Sequence, residues 1–467
     1  MNAPLLFPVF RRCATVAGLI ALITPWNIWA QQTTTLPDAP QPRRVLIAQT
    51  QTPPPVAGPP QVPVPLINPS ARAVTLEEAL DLAKRNNPSL QASQTLILQN
   101  KAQEITANLR PNPVLSMDAQ YIPLFEPNLF TDPNYWNENS QFDAGVGYLF
   151  ERGKKRQHRL AAAQSATAVT EAQVSDAQRS VLANTAQLFI AALLAKSNLE
   201  FAESLFDSYK KTVQVSEERQ NAGSISKNDL LKIQLQSLQF ESDVNNAELV
   251  RAQALASLRQ FLGFDSVPQV YAVVGSLAYE PVTARLEDLQ ARALASRPDL
   301  QAAQRSVTAS QSQVGLAKAN SKVDFNVTFD YTRLNQSNLG AFYFTIPLPL
   351  FNKNQGEIAR TQYAVTQSQF QQKAAEQQVL TDVQNAYEGL RRSEQMVRLY
   401  DLGYLDKATQ SLEITKFSYE HGQASLLDFL DAERSYRSTE LSYRQALATY
   451  MTSLEQLRQA VGTTDLQ

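Results

Sequence analysis

The sequence is nearly devoid of the residues that build metal centres and disulfides. Among 467 residues there are one cysteine, Cys13, and two histidines, His158 and His421. Transition-metal sites use cysteine, histidine and carboxylate ligands at recognisable spacings, and the sequence has no such pattern. A lone histidine before a glycine, as at His421, is typical of a helix end. We therefore expect no bound metal and no cofactor.

Catalytic motifs are also missing. The sequence has no glycine-rich phosphate loop and no nucleophile paired with a base, so it does not predict an enzyme. Its charge excludes another class, because 42 Lys and Arg against 44 Asp and Glu give a formal net charge of -2 at pH 7. A nucleic-acid-binding domain needs a basic balance with clustered Lys and Arg. We expect no nucleic-acid partner.

The first 73 residues do not have the composition of a folded domain. Residues 1–30 combine Arg11 and Arg12, an apolar run and a small residue, Ala30, in the order of a secretory signal peptide. Residues 31–73 are rich in proline and almost uncharged, which predicts an extended, disordered linker. Cys13 lies within the signal, so the exported chain is expected to have no disulfide and no cysteine for acylation. Residues 74–467 remain as the folded domain.

The folded domain contains an internal duplication with an offset of about 200 residues. Pro-Ser-Leu-Gln-Ala at 88–92 returns as Pro-Asp-Leu-Gln-Ala at 298–302. A period this long is not that of a solenoid repeat. It indicates one supersecondary unit used twice around a shared axis, over about 74–265 and 284–464.

Each repeat carries one very long helical segment. The segment at about 154–222 is predicted as one helix, and the equivalent segment at 355–421 is interrupted by Gly389 and Gly403. In the first segment, apolar residues seven apart form two interleaved rows, which predicts a coiled-coil seam. At 1.5 Å per residue such a helix is roughly 100 Å long. We expect a long, helical, tube-like object rather than a compact domain.

Each repeat also carries two short stretches with an alternating pattern. Apolar and polar residues alternate over 115–121, 142–150, 323–332 and 342–348. Strands of this kind are typical of an outer-membrane barrel, although a half-buried strand of a soluble sheet has the same pattern. The very long helices leave little else to form a soluble sheet core, which favours the membrane. The segment 122–141 is expected to be the outer loop of the first hairpin.

Four strands cannot close a transmembrane barrel, because such barrels begin at about eight strands. An open sheet edge in lipid leaves backbone groups without hydrogen-bond partners. The chain must therefore oligomerise if its strands lie in lipid, two copies giving eight strands and three giving twelve. An eight-stranded barrel is filled by its own side chains, so a conduit favours three copies.

With these features the chain resembles the TolC family of outer-membrane efflux ducts over roughly 74–462. The resemblance lies in Leu-Glu-Glu-Ala at 76–79, Arg-Pro-Asn-Pro at 110–113 and Tyr-Glu-His-Gly at 419–422. The stretch 347–356 is most similar to the CzcC-type branch, associated with heavy-metal resistance. The resemblance implies a mainly α fold with a small transmembrane β part. The family forms a homotrimer, with a twelve-stranded barrel in the outer membrane continuous with a long periplasmic α-helical barrel of coiled-coil hairpins.

The resemblance also implies a passive function. Such ducts are the exit channels of tripartite efflux systems and carry substrates such as metal cations or drugs to the exterior. Their partners are a periplasmic adaptor protein, an inner-membrane pump, here expected to be of the RND type, and outer-membrane lipid. Two alternatives stay open: a type I secretion duct that works with an ABC exporter, and a secreted coiled-coil scaffold without a pore. The scaffold does not explain the alternating strands or the duplication.

The resemblance directs attention to the turns that follow the long helices. Asp428 and Asp431 lie three residues apart and share a helix face, so a trimer would have two rings of three carboxylates. A Ser-x-x-Asp pattern also predicts Asp428 and its first-half counterpart, Asp229, as helix-capping residues. Tyr419 matches a family position whose tyrosine helps to hold the tip shut.

The two turns differ in charge. The second has Asp431 where the first has Lys232, and we expect the gate at this break in the symmetry. The adaptor-contact tips are expected at Ala222, Gly223, Ser224, His421, Gly422 and Gln423.

Overall fold

The structure, a computed structural model, describes residues 72–463. The predicted signal peptide and all but the last two residues of the predicted linker lie outside the described residues. Within 72–463 the elements are, in order, β1 (Arg72–Val74), α1 (Leu76–Asn86), α2 (Pro88–Ala107), β2 (Val114–Gln120), α3 (Pro127–Phe130), α4 (Pro133–Glu138), β3 (Gln141–Phe150), α5 (Lys155–Asn221), α6 (Lys227–Leu262), β4 (Tyr271–Val273), α7 (Leu286–Ser296), α8 (Pro298–Asn320), β5 (Phe325–Leu334), β6 (Ser337–Thr345), α9 (Gln355–Leu399), a π-turn (Tyr400–Tyr404), α10 (Leu405–Glu420) and α11 (Leu426–Val461).

Each half begins with a short helix and a longer one that meet at a single residue. Asn87 joins α1 to α2, and its side chain accepts a hydrogen bond from the Leu90 amide at 3.1 Å. Arg297 joins α7 to α8, is 4% exposed and pairs with Asp299 at 2.6 Å and Asp382 at 2.9 Å. Proline follows both joining residues, at the first helical position, where its missing N–H costs nothing.

The two long helical segments are built differently. The first is the 67-residue helix α5, as predicted. The second is divided into α9 and α10 by the π-turn, where Gly403 has a φ of 95° that an α-helix cannot contain. The prediction that Gly389 also interrupts the helix was wrong, because this residue lies inside α9. A single glycine in a helix costs only about 1 kcal/mol relative to alanine, and the packing of α9 outweighs that cost.

The four predicted strands form one antiparallel sheet in the order β2-β3-β5-β6. Across its ladders Met117 pairs with Ala144, Ala144 pairs with Tyr331, and Phe329 pairs with Phe342. Since paired residues lie on the same face of a sheet, the apolar rows of all four strands share one face. The mainly α fold with a small β part is confirmed.

Three strand and loop boundaries differ from the sequence prediction. Strand β6 was expected to reach Leu348, but it ends at Thr345, because Pro347 cannot donate a ladder hydrogen bond. Strand β5 begins at Phe325 rather than at 323 and runs to Leu334. The segment 122–141 is not an open loop throughout, because it contains α3 and α4 and its last residue begins β3.

A second, parallel sheet of two strands was not predicted. In it β1 pairs with β4, Arg72 opposite Tyr271 and Val74 opposite Val273. The linker was expected to continue to residue 73, but Arg72 and Ala73 belong to this sheet. Val74, Val273 and Tyr271 are buried against α1, α5 and α6, and this packing fixes the start of the fold.

Helix α5 is the central packing element of the first half. It contacts α1, α2, α6, α8 and α11. By length and composition alone it could cross a membrane, but its Phe189, Ala192 and Leu193 are buried in an interhelical core. We therefore describe it as a core helix.

Candidate functional site: the helical tips

Both helical hairpins reverse direction through a glycine. Gly223 has φ 77° and Gly422 has φ 74°, and a Cβ added at either position would meet no atom within 4 Å. Backbone conformation, rather than close packing, therefore requires glycine at these turns. The amide of Ser224 donates to the Arg219 carbonyl at 2.8 Å, and that of Gln423 donates to the Ser418 carbonyl at 2.7 Å. The two turns therefore have the same backbone conformation and the same hydrogen-bond pattern.

The helices that leave the turns are capped by serine. Ser226 accepts a hydrogen bond from the Asp229 amide at 3.1 Å, and Ser425 accepts one from the Asp428 amide at 3.2 Å. Only the second cap is reciprocal, because the Asp428 carboxylate also accepts from the Ser425 amide at 3.1 Å. The hydrogen bonds from the Ser425 side chain and amide lower the pKa of the exposed Asp428 carboxyl below its usual value.

The charges beyond the caps differ between the two turns. Lys232 lies 3.9 Å from Asp229 and compensates its charge. Asp431 is exposed and makes no hydrogen bond or ion pair with any residue in 72–463. The second tip therefore presents two carboxylates, Asp428 and Asp431, without a basic partner, and the first presents a balanced pair.

Tyr419 is buried, at 7% exposure, at the end of α10. Its ring is stacked on Phe429 of α11, with centroids 5.3 Å apart and planes 7° apart. The guanidinium of Arg219, on α5, lies 5.3 Å from the centre of the same ring. Burial raises the pKa of the Tyr419 hydroxyl, and the nearby Arg219 opposes that rise. Tyr419 thus connects the end of α10 to the end of α5.

An apolar cluster lies behind the tips, where four helices meet. Its buried members are Tyr209 of α5, Ile233 and Phe240 of α6, Tyr419 of α10, and Leu426 and Phe429 of α11. Because both hairpins contribute to this cluster, a change in the packing of one hairpin alters its contacts with the other.

Glu433, on α11, was missed by the sequence analysis. It is 8% exposed and makes no hydrogen bond or ion pair within the described residues. Burial raises the pKa of its carboxyl to about 7, although Arg437 and Lys416 oppose the shift. A signal was present in the sequence, because Leu426, Phe429 and Glu433 have the i, i+3, i+7 spacing of one helix face.

The six predicted adaptor-contact residues are all solvent-exposed. Ala222, Gly223 and Ser224 lie at one turn, and the other is formed by 421–423. The His421 ring packs on Phe417 with centroids 4.0 Å apart, and its Nδ1 lies 2.8 Å from the Phe417 carbonyl oxygen, which is a helix-end contact. No group of three or more possible metal ligands occurs in the part of the chain that the structure describes.

Comparison with known proteins identifies relatives of both halves. A family model described as "Outer membrane efflux protein" matches residues 79–264 and 289–463. The chain is 26% identical over 404 residues to the cobalt-zinc-cadmium resistance protein CzcC of Cupriavidus metallidurans, a match that covers 85% of this chain and 90% of the relative. It is 27% identical over 281 residues to the cation efflux system protein CusC of Escherichia coli K12, over 56% of this chain and 61% of the relative.

The fold also matches solved channel structures. The open state of the Neisseria gonorrhoeae MtrE outer membrane channel superposes with a TM-score of 0.68 at 19% identity. That match covers 84% of this chain and 90% of the channel chain. The TolC-like fold expected from the sequence is confirmed.

Proposed function

The chain belongs to the outer membrane efflux protein family, and we propose that it works as a homotrimer with a cation-selective gate at its periplasmic tip. As a member of this family it is an outer-membrane exit duct for tripartite efflux, with its helical part in the periplasm.

The open edges of the sheet are the observation that supports a trimer. Within the described residues β2 and β6 are edge strands, and the sheet has one apolar face. Unpaired edges are costly in lipid, so other copies must pair with them. Three copies give a twelve-stranded barrel wide enough for a conduit, with outer-membrane lipid on the apolar face.

The charge difference between the tips supports the gate. In a trimer Asp428 and Asp431 would form two carboxylate rings, which attract cations at a constriction. Asp229 would add a third ring, weakened by Lys232. Tyr419, stacked on Phe429, would hold the second arm in the closed position.

The exposed turns at 222–224 and 421–423 are the proposed contacts for a periplasmic adaptor protein. The inner-membrane pump is proposed to be of the RND type and the cargo to be metal cations. The names of the relatives support this cargo, since one is a cobalt-zinc-cadmium resistance protein and another belongs to a cation efflux system.

Single-channel recording in planar bilayers tests the gate. We expect a cation-selective current, reduced selectivity in the Asp428→Asn/Asp431→Asn variant, and weaker block by trivalent cations. Asp229→Asn is the matched control, with a smaller effect because Lys232 already compensates that charge. Unchanged selectivity and block in the double variant would show that these residues only cap and solvate α11.

A further inference from the structure

A band of basic residues surrounds the junction between the sheet and the long helices. The acids of this junction are each paired: Asp324 with Lys155 at 2.6 Å, Glu151 with Arg159, and Glu357 with Arg360. Other bases remain without a hydrogen bond or ion pair from their side chains within 72–463. They are Arg110, Arg152, Lys154, Arg156, Lys322 and Lys353.

These bases come from both halves of the chain and meet in space. Lys154 and Arg156, with Arg110, line a cleft of about 350 Å³ at the end of β3. Lys322 and Lys353 line a second cleft of about 500 Å³. Lys155 lines both clefts, so the two open on one continuous surface.

Exposed apolar side chains border this surface. Phe351 is 92% exposed and Leu348 is 73% exposed, and Phe150, at the end of β3, belongs to the apolar face of the sheet. A positive band next to an apolar face is the arrangement that fits a lipid headgroup above its acyl chains.

The opposite end of the sheet has the other charge. The loop between β2 and β3 carries Glu126, Asp132 and Glu138 and no basic residue. Arg333, near the end of β5, is a base at this same end, but with these three acids it leaves no surplus of positive charge there.

A second copy of the chain is a poor occupant of the band. In the ring assembly proposed above, on which this step rests, symmetry places the same residues of every copy at the same height. Each copy brings the same surplus of bases, and its acids at that height are already paired. We propose that anionic phospholipids of the inner leaflet bind this band, with phosphate at Arg110, Lys154 and Arg156 and acyl chains against the apolar face.

Native mass spectrometry of the detergent-purified full chain tests the lipid surface. At equal concentrations of phosphatidylglycerol and phosphatidylcholine, we expect at least tenfold more phosphatidylglycerol adducts, because each basic residue near an anionic headgroup changes binding by roughly fivefold. The Arg110→Gln/Arg152→Gln/Lys154→Gln/Arg156→Gln variant is expected to lose this preference.

The matched control removes four exposed bases far from the junction, at Lys84, Lys211, Lys227 and Lys373. It is expected to keep the preference, as is the charge-preserving Arg110→Lys/Arg152→Lys/Arg156→Lys variant, which checks for misfolding. Equal binding of the two lipids by the unchanged chain would overturn the proposal, as would equal loss in the control. The same spectrum gives the number of chains, so failure of the trimer is distinguished from failure of the lipid surface.

Discussion

The two helical arms have the same turn but different construction. The first arm is the unbroken helix α5 followed by α6, with a balanced Asp229–Lys232 pair at its tip. The second is interrupted at Gly403 and carries an uncompensated Asp431 and a buried Glu433. Interruptions of this kind are frequent at functional sites, and a buried acid without a partner costs free energy when it is ionised.

Counterparts at the same distance from the turn glycine sharpen this comparison. The second arm has Tyr419 and Glu433 where the first has Gln220 and Gln234. Gln234 donates a hydrogen bond to Glu217 at 3.0 Å and is partly exposed, so it carries no unsatisfied charge. At these two positions the second arm thus has an aromatic contact and a buried acid that the first arm lacks. The first arm has its own aromatic contact further from the turn, between Tyr209 and Phe240, with centroids 4.7 Å apart.

The largest expected effect comes from Tyr419→Ala. Removing a buried aromatic ring costs about 3–5 kcal/mol of stability. The amides of α10 should then exchange their hydrogens much faster, and the duct should open more often in bilayer recordings. Gln220→Ala, the same change in the first arm, should cost less than about 0.5 kcal/mol. Equal exchange rates in the two variants would show that the Tyr419–Phe429 contact does not stabilise the second arm.

Glu433 predicts that the stability of the second arm depends on pH. The pKa of its carboxyl is about 7 in the folded chain, above the ordinary value of 4.5. The stabilising contribution is therefore fully present below pH 4.5 and is lost as pH rises through about 7, at a cost of about 3 kcal/mol. The groups that face it are Arg437 of α11, Lys416 of α10 and Tyr209 of α5.

Hydrogen exchange of α10 and α11 between pH 5 and pH 8, corrected for intrinsic rates, measures this dependence. Glu433→Gln should remove the slope and stabilise the arm at pH 8. Glu420→Gln, which changes an exposed acid of the same arm, should leave the slope in place. A slope that survives Glu433→Gln belongs to another group.

Periodicity predicted the elements of the fold but not their interruptions. The heptads of α5 and the alternating strands were readable because a repeated pattern identifies an apolar face. Gly389 and Gly403 look alike in sequence, and only the packing of α9 decides which of them leaves the helix. The three-residue strands β1 and β4 are too short to show any period.

The site was predictable where it depends on local geometry. The caps at Ser425 and Ser226 follow from spacing alone, since a cap is made within one turn. Glu433 was missed because an acid is normally assigned to a solvated face, and its burial depends on helices 200 residues away in sequence. The strand count implied the free sheet edges, because four strands cannot close a barrel and the outer two are left without a partner.

Alanine substitutions of Gly403 and Gly389 test whether the second arm is interrupted at Gly403 and continuous at Gly389. Gly403→Ala forces a residue with a Cβ into a left-handed conformation and should cost about 1–2 kcal/mol, with no steric contribution because nothing lies within 4 Å. Gly389→Ala, in helical conformation and equally open space, should instead gain about 1 kcal/mol. Opposite shifts in the thermal midpoint would support an interruption of the helix at Gly403 alone. Shifts of the same sign would show that α9 and α10 behave as one helix.

The smallest expected difference lies in the two caps. Asp428→Ala removes the acceptor of the Ser425 amide and should destabilise the helix end, seen as faster exchange in the first turn of α11. Asp229 does not close a reciprocal cap, and its ion pair is exposed, so Asp229→Ala should cost only a few tenths of a kcal/mol in α6.

The pKa of Asp428 is lowered, so its contribution to stability is present above the ordinary carboxyl pKa and is lost as pH falls. The tip of the second arm should therefore fray in acid while Glu433, further along α11, becomes protonated and packs more stably. If both tips fray equally at low pH, the reciprocal cap does not distinguish the arms, and the difference between them reduces to Gly403, Tyr419 and Glu433.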